Sequence, residues 1–146
     1  MPSGSGSVPP CPTSANGRST STPIAEVGQG GRLREPVGVE ELTARVRETV
    51  GREPLVFAHG PDRIERVAIC SGAAGRFLID AAHEGYDLLL TGEPEEPSLQ
   101  TARELGIHFV AGGHDATERL GVQALSQRLA ERFGLDWEFI PVENPV

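Results

Sequence analysis

Apolar residues recur at helical spacing in four parts of the chain. Val39, Leu42, Val46 and Val50 lie three or four positions apart, which predicts one amphipathic helix. Further helices are predicted over residues 77–82, 98–105 and 114–133. A glycine stands at or near the end of each helix, where left-handed backbone is common: Gly51, Gly85, Gly106 and Gly134.

Short apolar runs between these helices predict strands. They are Pro54–His59, Ile64–Cys70, Asp87–Thr91, Ile107–Ala111 and Leu135–Pro141. The glycines at 28, 30 and 31 are expected to form a turn and not a phosphate loop, because no Lys-Ser/Thr pair ends the cluster. The order of the elements predicts an α/β fold, a sheet with helices packed on it.

The first 22 residues differ in composition from the rest of the chain. They consist largely of Ser, Gly, Pro, Thr and Asn, so they bury too little apolar surface to offset the entropy lost on ordering. We therefore predict a disordered tail over 1–22 and a folded domain over 23–146.

Charge and composition narrow the expected partners and location. The 146 residues carry a formal net charge of -8, which argues against binding to nucleic acid or to an anionic membrane. No apolar run approaches the roughly 20 residues that cross a bilayer, and the N-terminus lacks the pattern of a signal peptide. Cys11 and Cys70 are expected to be free thiols. We therefore expect a cytoplasmic protein.

Two chemically active side chains lie at the start of the long helix. His114 and Glu118 are four residues apart and share a face, and a histidine with a carboxylate at this spacing is suited to a divalent metal. The same residues fit a capping box, in which Asp115 caps the helix and Glu118 bonds back to it. The two uses of Glu118 exclude each other, and spacing alone leaves both open. The apolar stripe that continues this face is predicted to meet the rest of the domain: Val122, Leu125, Leu129 and Phe133.

Cys70 stands at the end of a predicted strand, before the small-residue loop 71–75. Such a loop before a helix suits anion binding, and the thiol is a candidate nucleophile. A tight turn and a buried thiol are the favoured interpretations, because a catalytic cysteine needs an activating neighbour. His83 is a poor activator, since it lies near the end of its own helix.

Acidic residues follow the predicted strand 87–91. Ligands of α/β sheets bind at the carboxyl ends of strands, so Glu93 lies where a site is expected and its role stays open. Glu95 and Glu96 are predicted to form the solvated first turn of the next helix. His108 lies inside a predicted strand, where a contact within the core is favoured over metal ligation.

Three stretches resemble the C-terminal half of the NIF-three-like dinuclear-metal-centre proteins, often named GTP cyclohydrolase type-two homologs. They are residues 70–93, residues 101–140 and the closing residues 143–146. The most specific of these letters are Gly-His-x-Ala-Thr-Glu-Arg, at residues 113–119. The similarity runs from about Ile24 to Val146, so the chain resembles a truncated member that holds half of a two-part fold.

The resemblance implies a two-metal site that both halves of the family fold build. The N-terminal half supplies a His-His pair and an aspartate, and the C-terminal half supplies a histidine and a glutamate, which correspond to His114 and Glu118. The resemblance therefore favours metal ligation over the capping box. This chain has no His-His pair, so it supplies only part of the centre. The ion is left open among Zn, Mn, Fe and Mg.

The resemblance leaves three functions to compare. The first is a divalent-metal-binding protein that holds part of a site. The second, with the missing N-terminal half present, is a metal-dependent hydrolase that acts on a nucleotide-like substrate. The third is an inert remnant or an oligomerisation module. Family members form hexameric rings, so a homo-oligomer and the missing N-terminal half are the implied partners. No catalytic residue and no other cofactor is assigned.

Overall fold

Five strands form one mixed sheet in the computed structural model, which describes residues 28–142 and 144. The strands are β1 (Gln29–Val37), β2 (Leu55–Phe57), β3 (Ile64–Ile69), β4 (Leu88–Thr91) and β5 (His108–Ala111). The helices are α1 (Val39–Val50), α2 (Leu78–His83) after a 3₁₀ turn at Gly75–Phe77, α3 (Ser98–Leu105) and α4 (His114–Phe133). The predicted α/β fold is confirmed.

The sheet has a parallel centre and antiparallel edges. Its strand order is β1-β3-β4-β5-β2, in which β3, β4 and β5 run parallel while β1 and β2 run antiparallel to their neighbours. The crossovers between the parallel strands contain α2 and α3. Because parallel strands end at the same edge, the loops that follow β3, β4 and β5 meet there.

Helices cover both faces of the central strands. Leu89 and Phe109 are fully buried on the face that packs with α2 and α3. Leu88 and Val110 are fully buried on the opposite face, which packs with α1 and the first turn of α4. Burial on both faces explains why these strands are continuous apolar runs and not alternating ones.

Two local predictions were wrong. The glycine cluster at residues 28–31 is not a turn, because β1 begins at Gln29 and pairs with β3. A Cβ at Gly30 would be 1.9 Å from the phenol oxygen of Tyr86. The lack of a side chain at this position therefore allows Tyr86 to pack closely against β1. Residues 135–141 are not a strand. They have no regular structure, and no described strand pairs with them.

The apolar stripe of α4 does not meet the rest of the domain as predicted. Only Ala116, in the first turn, is buried along this helix. The four stripe residues, Val122, Leu125, Leu129 and Phe133, are between 42% and 61% exposed. The helical period was correct, but no described residue covers the face. We call these four residues the α4 stripe.

The predicted tail over 1–22, Cys11 and the start of the predicted domain lie outside the described residues, so these predictions stay untested. Within residues 28–142, none of the helices is long and apolar enough to cross a membrane.

Candidate metal centre

Backbone hydrogen bonds join the three loops at the carboxyl ends of the parallel strands. The carbonyl of Gly72, after β3, accepts the N–H groups of Gly92 at 2.8 Å and Glu93 at 3.2 Å, both after β4. The carbonyl of Gly92 in turn accepts the N–H of Gly113, after β5, at 2.9 Å. The three loops therefore form one connected platform.

Two threonine hydroxyls tie this platform to the strands and to α4. The fully buried Thr91 donates to the Gly72 carbonyl at 2.9 Å and accepts the Ala74 N–H at 3.1 Å. Thr117, in the first turn of α4, accepts the Gly72 N–H at 3.1 Å and donates to the Gly113 carbonyl at 2.9 Å. The start of α4 is thereby fixed against the loop after β3.

The ring of His114 lies between two carboxylates on this platform. Its Nδ1 is hydrogen-bonded to Oε1 of Glu93, and its Nε2 lies 3.2 Å from Oε1 of Glu118. The side chains of His114, Glu93 and Glu118 are 36%, 32% and 54% exposed, so solutes reach all three. The structure therefore brings together the two predicted ligands and adds Glu93, whose role the sequence left open.

The capping-box interpretation is wrong. The helix begins at His114 after Gly113, and no side chain caps it. Gly113 has φ 98° and ψ 137°, a conformation that favours glycine and turns the chain into α4 before Asp115 is reached. Asp115 is therefore a first-turn residue, and the carboxylate of Glu118 points to the imidazole and not back to a capping residue.

The surroundings of His114 make its ring more basic than usual. The hydrogen bond that the ring donates to Glu93 raises the pKa of His114, partial desolvation lowers this pKa, and the charge of Glu118 raises it again, with a net upward shift. A histidine whose second nitrogen is bonded to a carboxylate is a stronger metal ligand, although it also holds a proton more firmly.

The His114–Glu118 pair fits a divalent cation. Two ligands that each lie about 2.0–2.2 Å from one ion are roughly 3 Å apart, which matches the 3.2 Å between Nε2 and Oε1. Gly72 keeps the space beside them open, since a Cβ there would lie 2.5 Å from Oε1 of Glu118 and 3.3 Å from Nε2 of His114. Among the described residues, no group of three or more His, Cys, Asp or Glu side chains is arranged to hold one ion.

Two further candidate residues, Cys70 and His108, occupy buried structural positions, as the favoured interpretations predicted. Cys70 is a buried thiol, and burial raises its pKa while the charge of Arg76 lowers it, so the thiolate is disfavoured overall. His108 is buried, accepts the Gly60 N–H at 3.2 Å and donates to the Pro61 carbonyl at 2.9 Å. Its role is to hold the loop before β3.

Glu95 and Glu96 are solvated as predicted, but they are not in the first turn of the next helix, which contains no acidic residue. Glu95 and Glu96 are exposed, and α3 begins after them at Ser98, whose hydroxyl accepts the Glu95 N–H at 2.8 Å. Glu93 contacts His114. The sequence analysis did not identify Gly72 as the residue that leaves space beside His114 and Glu118. Its place in a small-residue loop after a strand was the signal that pointed to it.

Comparison with known proteins places these features in a family. The model of the family Duf34/NIF3 (NGG1p interacting factor 3) matches residues 14–145. The GTP cyclohydrolase 1 type 2 homolog of Salmonella typhimurium is 44% identical over 116 residues, which are 79% of this chain and 47% of the relative. The homolog of Haemophilus influenzae is 37% identical over 116 residues, 79% of this chain and 46% of the relative.

A solved structure also matches the fold of this chain over part of its own length. The structure of the protein ybgI superimposes with a TM-score of 0.78 and 42% sequence identity, over 84% of this chain and 50% of that one. The chain therefore spans about half the length of the curated relatives and of this structure.

Proposed function

Because the chain belongs to the DUF34/NIF3 family, we propose that it is a divalent-metal-binding protein in which His114 and Glu118 supply part of a metal site. The observation that carries the proposal is the 3.2 Å between Nε2 of His114 and Oε1 of Glu118, at a position that Gly72 leaves open. A ring nitrogen and a carboxylate oxygen suit Zn²⁺, Mn²⁺, Fe²⁺ or Mg²⁺.

Two protein ligands are fewer than a tightly bound ion needs, because structural and catalytic sites use three or four. The remaining ligands would come from outside the described residues, as in a two-metal centre that a complementary half completes. When bound, such an ion supplies Lewis-acid polarisation and activation of water at neutral pH. Among the described residues, His114 and Glu118 would hold the ion, and the hydrogen-bonded platform of loops would keep these two side chains in place.

We further propose that the completed site is that of a metal-dependent hydrolase acting on a nucleotide-like substrate. The support is the name of the curated relatives, GTP cyclohydrolase 1 type 2 homolog, together with 44% identity to one of them. Because the chain spans about half of that relative, we expect activity only when the complementary half is present.

Replacement of His114 with Ala should remove metal binding and leave the fold intact. The side chain is 36% exposed and supplies the only nitrogen of the pair, so its loss should weaken Zn²⁺ binding more than about tenfold at little cost in stability. Equilibrium dialysis against Zn²⁺ measures the affinity, and circular dichroism measures the fold. Glu118→Gln should weaken binding in the same assay.

The matched control is His83→Ala, which removes an exposed histidine from the end of α2, before β4, whereas the site lies after the carboxyl end of β4. It should bind Zn²⁺ as the unchanged chain does. If His114→Ala folds and retains the full metal content, His114 does not hold the ion and the proposal is wrong.

Metal binding should depend on pH through His114. Glu93 first, and Glu118 in addition, raise the pKa of His114 above 6.5, and a protonated imidazole cannot bind metal. The apparent metal affinity should therefore be greatest above the raised pKa and should decrease as the pH falls below it. In the metal-free chain the trend is opposite, because the raised pKa adds stability below pH 6.5 that is lost as the pH rises through the raised value.

The measurement is metal content and melting temperature between about pH 5 and pH 9, with and without metal. A Zn²⁺ affinity that does not change over this pH range would contradict the assignment of the site to this histidine.

We also propose that the α4 stripe is an association surface. Contiguous exposed apolar residues mark interaction sites on soluble proteins, and all four stripe residues are at least 42% exposed. The family resemblance favours a second copy of this chain, in a ring, as the partner.

Charged residues in the α4 stripe should abolish association. Leu125→Glu with Leu129→Glu places two carboxylates in the apolar face, so the variant should be monomeric by native mass spectrometry while the unchanged chain forms a larger species. Ala124→Glu, an exposed position on the opposite side of α4, is the control and should associate normally. An unchanged chain that is monomeric at micromolar concentration would contradict self-association.

A further inference from the structure

We infer that Glu93 is a positioning residue that holds Nδ1 of His114, so that Nε2 faces the metal position beside Glu118. The inference rests on the proposed metal site. It assigns a role to a residue that is neither one of the two ligands nor part of the helix that carries them.

The two carboxylates contact different nitrogens of one ring. Glu93 bonds to Nδ1, whereas Glu118 lies 3.2 Å from Nε2. The two nitrogens of an imidazole point in different directions. While Glu93 is hydrogen-bonded to Nδ1, it therefore cannot also bind an ion that is held by Nε2. This arrangement agrees with the absence of a three-residue metal-holding group among the described residues. Glu93 therefore supports the ligand and does not add a third one.

Glu93 is attached to a fixed part of the backbone. Its own N–H donates to the Gly72 carbonyl at 3.2 Å, and its neighbour Gly92 donates to the same carbonyl at 2.8 Å. The carbonyl of Gly92 also accepts the N–H of Gly113, the residue before His114, at 2.9 Å. The start of the Glu93 side chain and the start of the His114 side chain are thus held on one hydrogen-bonded platform.

The contact selects the protonation pattern that a metal ligand needs. Glu93 accepts a hydrogen bond at Nδ1, whereas Glu118 is the more distant carboxylate, 3.2 Å from Nε2. In the neutral ring the proton therefore lies on Nδ1 and the lone pair lies on Nε2. Nε2 is the nitrogen next to Glu118 and next to the space that Gly72 leaves open. Carboxylate–histidine pairs of this kind fix ring orientation and increase ligand basicity at metal sites, and their loss costs about 10–100-fold in affinity.

The test compares Glu93→Ala and Glu93→Gln in two measurements. The first is Zn²⁺ affinity by equilibrium dialysis. The second is the ¹⁵N chemical shifts of the His114 ring in the metal-free chain at alkaline pH, which report the nitrogen that carries the proton. Glu93→Ala should lose about 10–100-fold in affinity and lose the preference for a proton on Nδ1. Glu93→Gln keeps an acceptor oxygen, so it should retain that preference and lose less affinity.

Glu96→Ala is the matched control, since Glu96 is an exposed carboxylate three residues further along the same loop. It should change neither measurement. If Glu93→Ala binds Zn²⁺ as the unchanged chain does and shows the same ring shifts, the positioning role is wrong. Equal losses of affinity in Glu93→Ala and Glu93→Gln, with unchanged ring shifts, would instead make Glu93 a direct ligand and would also overturn the inference.

His114→Ala separates this inference from the proposed function. If that variant keeps its metal, the metal site itself is wrong. If it loses its metal while both Glu93 variants bind normally, the metal site stands and only the role of Glu93 fails.

Discussion

The Gly92→Ala variant is expected to lose about 2–3 kcal/mol of unfolding free energy and to melt roughly 10 °C lower than the unchanged chain. A Cβ at this position would lie 2.7 Å from the Gly72 carbonyl oxygen, 2.8 Å from Cα of His114 and 2.9 Å from Oγ1 of Thr117. Two of these three atoms belong to the backbone, so a change of rotamer cannot relieve the contact. The main chain itself has to move.

The movement would separate the loops that form the site. Gly92 donates to the Gly72 carbonyl and accepts from Gly113, so it connects the ends of all three parallel strands. The loss of stability should therefore be accompanied by a loss of Zn²⁺ binding. Thermal denaturation followed by circular dichroism measures the first effect, and equilibrium dialysis measures the second.

Gly121→Ala is the matched control for this substitution. Gly121 is exposed in α4, and a Cβ there meets no atom within 4 Å. Because alanine favours helix over glycine, this variant should gain about 0.5–1 kcal/mol. The same Gly→Ala change should thus lower the unfolding free energy at residue 92 and raise it at residue 121. A Gly92→Ala variant that melts with the unchanged chain would show that the loops do not approach as closely as described.

The Gly72→Ala variant is expected to lose metal affinity by more than about tenfold while it remains folded. The added Cβ would lie 2.5 Å from Oε1 of Glu118, the flexible end of a long side chain, which can rotate away. Rotation removes the carboxylate from Nε2 of His114 and fills the space beside the pair. Gly72 also has φ +68°, so alanine adds a backbone cost of about 1–2 kcal/mol.

Gly106→Ala separates the backbone cost from the effect on the site. Gly106 has φ +64°, close to that of Gly72, and the nearest atom to its Cβ would be the His59 carbonyl oxygen at 3.9 Å. Both variants should lose similar stability, but only Gly72→Ala should lose Zn²⁺ in equilibrium dialysis. Retention of full affinity by Gly72→Ala would mean that the ion is not held beside Gly72.

Much of the fold could be predicted because its signals are local. The spacing of Val39 to Val50 defines α1, and the apolar runs before Gly92 and Gly112 define the two central strands β4 and β5. The neighbourhood of His114 and Glu118 was predictable for the same reason, since residues four apart on a helix share a face.

The rest of the site depends on contacts between distant parts of the chain. Glu93 and His114 are 21 residues apart, and Gly72 and Thr117 are 45 apart. These contacts follow from the order in which β3, β4 and β5 lie in the sheet, which hydrophobic periodicity does not contain. The position of Glu93 after a strand indicated a site, but its partner could be identified only from the fold.

The α4 stripe and the segment 135–141 show what hydrophobic periodicity cannot predict, which is whether another part of the protein covers an apolar segment. Periodicity correctly identified the apolar face of α4, but it does not say what covers that face. The same holds for Leu135, Trp137 and Ile140, which were predicted to lie in a strand and are exposed. A strand needs a neighbour to pair with, and none of the described strands lies beside this segment.

The most direct test of the metal site is the position of the ion itself. Crystals of the chain grown with Zn²⁺ would give an anomalous-difference map at the zinc absorption edge. We predict a peak within bonding distance of Nε2 of His114 and of the Glu118 carboxylate, with Glu93 still hydrogen-bonded to Nδ1. A peak between Nδ1 and Glu93, or no peak beside His114 in a folded, zinc-loaded chain, would contradict the account.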